Sequence, residues 1–110
     1  MSAAQRNKGA RGEREVAAIF RDAGFDCERV PNSGGLRIKG DLYGDLPVHV
    51  EVKRGERVKL WEWWEQAWQE AFPTHKPPVL VVRRNRSEWL AILTLVDFAA
   101  LLAAGDEREK

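Results

Sequence analysis

The chain has 110 residues, 44% of them hydrophobic and 32% charged, with 18 Lys+Arg against 17 Asp+Glu. That length suits one domain with a single modest core, and the composition is too apolar for a disordered chain. A lone cysteine, Cys27, excludes an internal disulfide and argues against a cysteine-built zinc site, and no apolar run approaches the ~18 residues of a membrane span.

The near-neutral total hides an asymmetry, +3 over residues 1–60 and −2 over residues 61–110. Arg6, Lys8, Arg11 and Arg14 crowd the start of the chain, yet a pI near 7.9 falls short of a strongly basic nucleic-acid binder. No signal-peptide pattern opens the chain, so the expectation is a cytoplasmic protein of a prokaryotic or phage-infected cell, without a membrane or an organic cofactor.

Residues 1–9 read as a flexible basic arm. From Ala10 to Ala23 the residues Val16, Ile19, Phe20 and Ala23 repeat at i, i+3, i+4, i+7, which predicts an amphipathic helix stopped at Gly24. Strands are expected at Phe25–Val30, Gly40–Tyr43 and Val48–Lys53, the last two joined as a hairpin through Gly44-Asp45-Leu46-Pro47. The loop Pro31-Asn32-Ser33-Gly34-Gly35 is rich in breakers. A second helix follows at Leu60–Phe72, then strands at Val79–Arg84 and Glu88–Leu95 and a terminal helix at Val96–Ala104. The order αβββαββα describes an α/β chain of the α+β type, one domain over residues 1–110 with a mixed sheet flanked by helices.

The chemistry concentrates in Val48-His49-Val50-Glu51-Val52-Lys53, where alternation sends Glu51 and Lys53 to the face opposite the valines. An ordinary strand with a solvated Glu–Lys face is the bland alternative. Asp41 lies ten residues upstream on the preceding strand, and pairing would set its carboxylate beside Glu51. Two close carboxylates favour a shared proton or a divalent cation, and hard oxygen donors with open positions suit Mg²⁺. On the first helix Glu13 lies one turn before Val16, in line with the apolar stripe, where a carboxylate needs a partner; a first-turn dipole role is its alternative. If these residues converge, Asp41 and Glu51 hold Mg²⁺ or Mn²⁺, with the Val52 carbonyl as a further ligand and Glu13 on a bound water or second ion. Lys53 would then oppose charge building on a phosphate.

Glu13, Asp41 and Glu51-Val52-Lys53 together resemble the PD-(D/E)XK nuclease superfamily, and more narrowly the archaeal-type Holliday junction resolvases that also occur in phages. Lys8-Gly9, Glu13-Arg14, Arg29 to Gly34, Gly40-Asp41 and Glu65-Gln66-Ala67 extend the similarity over most of the chain. The resemblance implies a restriction-endonuclease-like core and a homodimeric, divalent-metal-dependent endonuclease that cuts four-way DNA junctions by paired nicks. It also implies catalytic roles for Glu13, Asp41, Glu51 and Lys53, and one near the scissile phosphate for Ser33. Gly40 departs from the pattern, which has proline there.

Arg6, Lys8, Arg11, Arg14, Arg37, Lys39, Arg54, Arg57 and Lys59 surround this segment in sequence as phosphate contacts would, with Gln66 as a further DNA-facing residue; solvated charge is the alternative for each. Trp61, Trp64, Trp68 and Phe72 share a helix face, read first as core, then as a dimer interface, then as a base-stacking surface, with Trp63 pointing away. His49 shares the face of Glu51, and Cys27 reads as a small buried residue. The competing functions are another PD-(D/E)XK nuclease acting on branched or duplex DNA, and a non-catalytic DNA-binding module with the same fold.

Overall fold

The computed structural model describes residues 3–30 and 41–106, with residues 3–8 described by backbone alone. Helix α1 (Ala3–Asp22) leads into strands β1 (Cys27–Arg29), β2 (Leu42–Gly44) and β3 (His49–Arg54). Helix α2 (Leu60–Ala71), a 3₁₀ turn (Phe72–Thr74), β4 (Pro78–Arg83), β5 (Leu90–Ile92) and α3 (Leu95–Ala104) complete the chain. The αβββαββα order therefore holds, as a mixed sheet flanked by helices.

Helix α1 begins at Ala3, not Ala10, so the stretch expected as an arm is helical from its third residue. Apolar periodicity was the wrong guide there: residues 3–9 carry no apolar repeat, but Ala, Gln, Arg and Lys are good helix formers by themselves. A second correction concerns pairing. The expected hairpin between the second and third strands is absent; β2 pairs antiparallel with β1, Arg29 opposite Leu42 and Cys27 opposite Gly44. The connection turns back on β1 because Asp45 exchanges two bonds with Asp26, the Asp26 amide donating to Asp45 Oδ1 at 2.7 Å and the Asp45 amide to the Asp26 carbonyl at 2.9 Å. Gly44 permits this approach with φ of +145°; a Cβ there would fall 1.9 Å from the Asp26 carbonyl oxygen.

Strand β3 instead pairs parallel with β4 through the α2 crossover, Val50 opposite Val79 and Val52 opposite Val81, and β5 adds antiparallel to β4. The sheet order β3-β4-β5 leaves β3 at one edge. Its two faces carry separate apolar clusters. Val50, Val52, Val79 and Val81 pack with Val16 and Ala17 of α1, while Leu80 and Val82 pack with Ala67 of α2.

Helix α2 is rotated from the expected face. Its inward stripe is Leu60, Trp63, Trp64, Ala67 and Ala71, with both alanines buried, because small side chains let the helix close on the sheet. Trp63 thus packs inward rather than away, whereas Trp61, Trp68 and Phe72 are 76%, 50% and 69% exposed. Among the described residues no helix is long and apolar enough to cross a membrane.

Candidate active site at the open edge of β3

Strand β3 is sandwiched between α1 and α2, so its polar face is not solvated: His49 is 6% and Glu51 2% exposed. That removes the amphipathic-strand alternative. A buried carboxyl costs free energy unless something compensates it.

The compensation is built around Asp41, which immediately precedes β2. Its backbone is anchored by the Val30 amide, which donates to the Asp41 carbonyl at 2.9 Å. Its side chain meets the edge of β3, where the Val52 amide donates to Asp41 Oδ2 at 2.5 Å. The His49 and Gly55 amides donate to Pro77 and Arg83 on the β4 side. Backbone groups alternate sides along a strand, so the amide and carbonyl of Val52 both point to the open edge, toward Asp41. The two residues therefore meet as expected, but by edge docking rather than by a hairpin.

Glu13 reaches this place from α1 on one face of β3, accepting from Arg29 Nε at 2.8 Å. Burial and then the neighbouring Asp41 carboxylate raise its pKa to about 7, against the lowering pull of Arg29. Glu51 lies on the other face, under α2. Burial first, then Asp41 and Glu70, push its pKa up to about 10. Its Oε2 is buried and has no hydrogen-bond partner among the described residues. The carboxyls thus form a chain across the strand edge, Glu13 beside Asp41, Asp41 beside Glu51 and Glu51 beside Glu70, with Arg29 the counter-charge bonded to Glu13.

Two of these residues were not singled out from sequence. Arg29 was read only as part of a loop pattern. Glu70 sits at i+3 from Ala67 and i+7 from Trp63, on the flank of the inward stripe; the criterion that found Glu13 would have found it had the stripe been placed correctly. Gln66 is exposed and approaches Glu70, its Nε2 3.5 Å from Glu70 Oε1.

Lys53 is half-buried on the face of Glu51 and opposite Val82. His49 shares that face; burial lowers its pKa, the Glu70 and Asp41 carboxylates pull the other way, and its Nε2 has no partner among the described residues. Cys27 is fully buried, and burial pushes its thiol pKa up, as befits a packing residue.

The basic residues divide. Arg11, Arg14, Arg57 and Lys59 are exposed. Arg54 is turned inward: its side chain is 13% exposed, with Nη1 3.9 Å from Glu15 Oε2. Arg83 Nη1 and Trp89 Nε1 donate to Glu15 Oε1 at 2.7 and 3.1 Å, and α1 comes near enough that a Cβ on Gly12 would lie 3.2 Å from the Trp89 ring. Glu15 is thus the tie between α1 and β4, and Arg54 is drawn in beside it. Ser33, Arg37, Lys39 and Gly40 lie outside the described residues, as do the side chains of Arg6 and Lys8.

Among the described residues no three of His, Cys, Asp and Glu are gathered so as to hold a metal ion by themselves. The donor chemistry nonetheless fits a small hard cation, which takes one or two carboxylates and leaves its remaining positions to carbonyl, water and phosphate oxygens. Asp41, Glu51 with its unpartnered oxygen, and the edge carbonyl of Val52 are donors of that kind.

Comparison with known proteins finds relatives in sequence and in fold. The chain is 31% identical over 120 aligned positions to Protein D14 of Escherichia phage T5, covering 88% of this chain and 75% of that protein. Its fold is similar to Hjc, a Holliday junction resolvase from the archaeal hyperthermophile Archaeoglobus fulgidus, with a TM-score of 0.52 at 21% identity over 76% of this chain and 73% of that one. The sequence profile of the family described as "Phage putative PDDEXK endonuclease" matches residues 4–107, and with nearly its whole length matched the chain belongs to that family of PDDEXK nucleases.

Proposed function

We propose that this chain is a divalent-metal-dependent endonuclease that hydrolyses DNA phosphodiester bonds and resolves four-way junctions by paired nicks, acting as a homodimer in the cytoplasm of a phage-infected or prokaryotic cell. The observation that carries the metal-dependent reading is the convergence of Asp41 and buried Glu51 at the open edge of β3. The junction preference is supported by the fold of the archaeal resolvase.

In this reading Asp41, Glu51 and the Val52 carbonyl hold Mg²⁺, with Mn²⁺ as a substitute. The ion supplies neutralisation of a phosphate oxygen and a lowered pKa for attacking water. Glu13 orients water from the α1 side, and its elevated pKa lets it exchange a proton near neutral pH. Lys53 places an ammonium on the face of Glu51, where it opposes the charge that grows on the phosphate. Ser33 acts beside the scissile phosphate. Arg11, Arg14, Arg57, Lys59 and Gln66, all exposed, would meet the DNA backbone, with Arg6, Lys8, Arg37 and Lys39 in the same role; Arg54, its side chain 13% exposed, is left out of that set.

The test is cleavage of a four-way junction beside linear duplex, flap and single strand of the same sequence in Mg²⁺. Symmetrical paired nicks in the junction alone are expected. Equal rates on every substrate would leave a nuclease with no junction preference. Binding without cutting in any divalent metal would make the chain a DNA-binding module.

A further inference from the structure

Helix α3 reverses the usual arrangement of a surface helix. Nine of its ten residues are apolar and none is buried. Leu95, Phe98, Ala99 and Leu102 follow i, i+3, i+4, i+7, the spacing of a core-facing stripe. That stripe points to solvent: Leu95, Phe98 and Leu102 are 79%, 46% and 60% exposed. The side turned to the body carries the one charge, Asp97, with Ala100 and Leu101, over a groove of about 200 Å³ beside Pro47, Pro78 and Leu93. The helix is nonetheless well made, with Thr94 Oγ1 accepting from the Asp97 amide at 3.1 Å. Its apolar stripe is thus a built surface that the described fold leaves uncovered.

The neighbouring surface continues it. Leu95 shares a second groove with Trp61 and Trp64 of α2, and Leu90 of β5 is 60% exposed. Among the described residues the outer edge of β5 pairs with no strand, and an unpaired edge is a template for pairing with another chain.

We infer that α3, flanked by β5 and Trp61, is the surface through which two copies of this chain pair, the outward stripe of one helix packing on that of its partner across a twofold axis. The surface is without charge on the stripe, so it offers an acidic or basic partner nothing to read, whereas an apolar stripe with small Ala99 at its centre is complementary to itself. Leu95, Val96, Phe98 and Leu102 of α3 with Leu90 and Trp61 present on the order of 800 Å² to solvent, comparable to the area per partner of a standard interface. This moves the pairing face from the Trp61, Trp64, Trp68 and Phe72 face of α2, the second reading of that face from sequence, to α3 with Trp61 at its flank. The inference deepens the homodimer reading above and rests on it, but its test reads assembly and not cutting.

The test is sedimentation of the full chain at micromolar concentration, beside Leu95→Lys, Leu102→Lys and Phe72→Lys. All three side chains are exposed, so circular dichroism and melting should show each variant folded. The parent and Phe72→Lys are expected to be dimers, and the two α3 variants monomers, with a dissociation constant raised about a hundredfold or more. A monomeric parent, a dimer indifferent to both α3 substitutions, or one dissociated only by Phe72→Lys would overturn the assignment. So would a monomeric parent that sediments with lipid vesicles, which would give the stripe to a membrane surface. Cleavage measured on the same samples separates the two readings: a dimer that never cuts keeps the α3 pairing and sinks the nuclease.

Discussion

Glu13 and Glu15 stand two residues apart on α1 and meet opposite fates. Glu15 faces Arg54, Arg83 and the Trp89 indole, and its Oε1 accepts from both the Arg83 guanidinium and the indole N–H. Glu13 faces the Asp41 carboxylate, which in turn bears on Glu51 beside Glu70, with Arg29 bonded to Glu13. The first cluster carries a net positive charge and ties a helix to a sheet. The second carries excess negative charge in a largely buried place, a poor arrangement for stability alone. Buried charge that the fold does not neutralise is a sign of a ligand that does, which here means protons or a divalent cation.

The largest expected effect separates the two clusters by activity. Asp41→Asn and Glu51→Gln should each slow junction cutting by about a thousandfold or more while leaving gel-shift affinity for the junction close to that of the parent. Glu15→Gln should keep its cutting rate within about tenfold at a temperature where it is folded. A variant at Asp41 or Glu51 that cuts like the parent would remove the acidic cluster from the reaction.

Stability should divide them the other way. Glu15→Gln weakens the pairs to Arg83 and Arg54 and should cost about 1–2 kcal/mol in urea unfolding, a figure discounted for the partial exposure of Glu15. Glu51→Gln removes a carboxyl that burial already disfavours, so the metal-free variant should be as stable as the parent or more so at pH 8. If both substitutions destabilise equally, the contrast between the clusters is lost.

A pH series sharpens the same point. Glu13 and Glu51 have folded-state pKa values of about 7 and about 10, both above the ordinary 4.5 of an unfolded chain. The folded state therefore holds protons that the unfolded state releases, and their stabilising contribution, full below the unfolded pKa, is lost as pH rises through the folded values. The metal-free melting temperature should fall between pH 5 and pH 9, and Mg²⁺ should restore more of it at pH 9 than at pH 5. A flat profile in Glu51→Gln would assign the slope to that residue. A parent whose melting temperature rises over this range would contradict the burial argument.

The smallest effect belongs to the exposed cations. Arg57→Ala or Lys59→Ala should weaken junction binding modestly and reduce the slope of log affinity against log salt by about 1 each. Arg54→Ala should show its effect in unfolding instead, because that side chain is largely buried beside Glu15.

Much of this was legible in the sequence, and the failures have physical causes. The alternation of Val48–Lys53 revealed a two-faced strand and placed Glu51 correctly, and the stripe through Val16 and Phe20 exposed Glu13 as a carboxyl out of place. Strand partners were not legible: the Gly44–Pro47 turn looks like a hairpin link, and only Asp45 binding back to Asp26 shows that it joins two sheets. The face of α2 was misjudged because bulk was taken for burial, when Ala67 and Ala71 are the residues that touch the sheet. That single rotation hid Glu70 and misplaced Trp63. Glu15 shows the opposite limit, since nothing local distinguishes it from a first-turn carboxylate; its partners Arg83 and Trp89 lie about seventy positions away in the chain.

The most direct test of the central claim is calorimetric titration of Mn²⁺ into the metal-free protein at pH 8, for the parent, Asp41→Asn and Glu15→Gln. The parent and Glu15→Gln should bind the ion with similar affinity, and Asp41→Asn should lose at least about tenfold. Equal binding by all three chains, or none by any of them, would mean that the carboxylates at the edge of β3 are not a divalent-cation site.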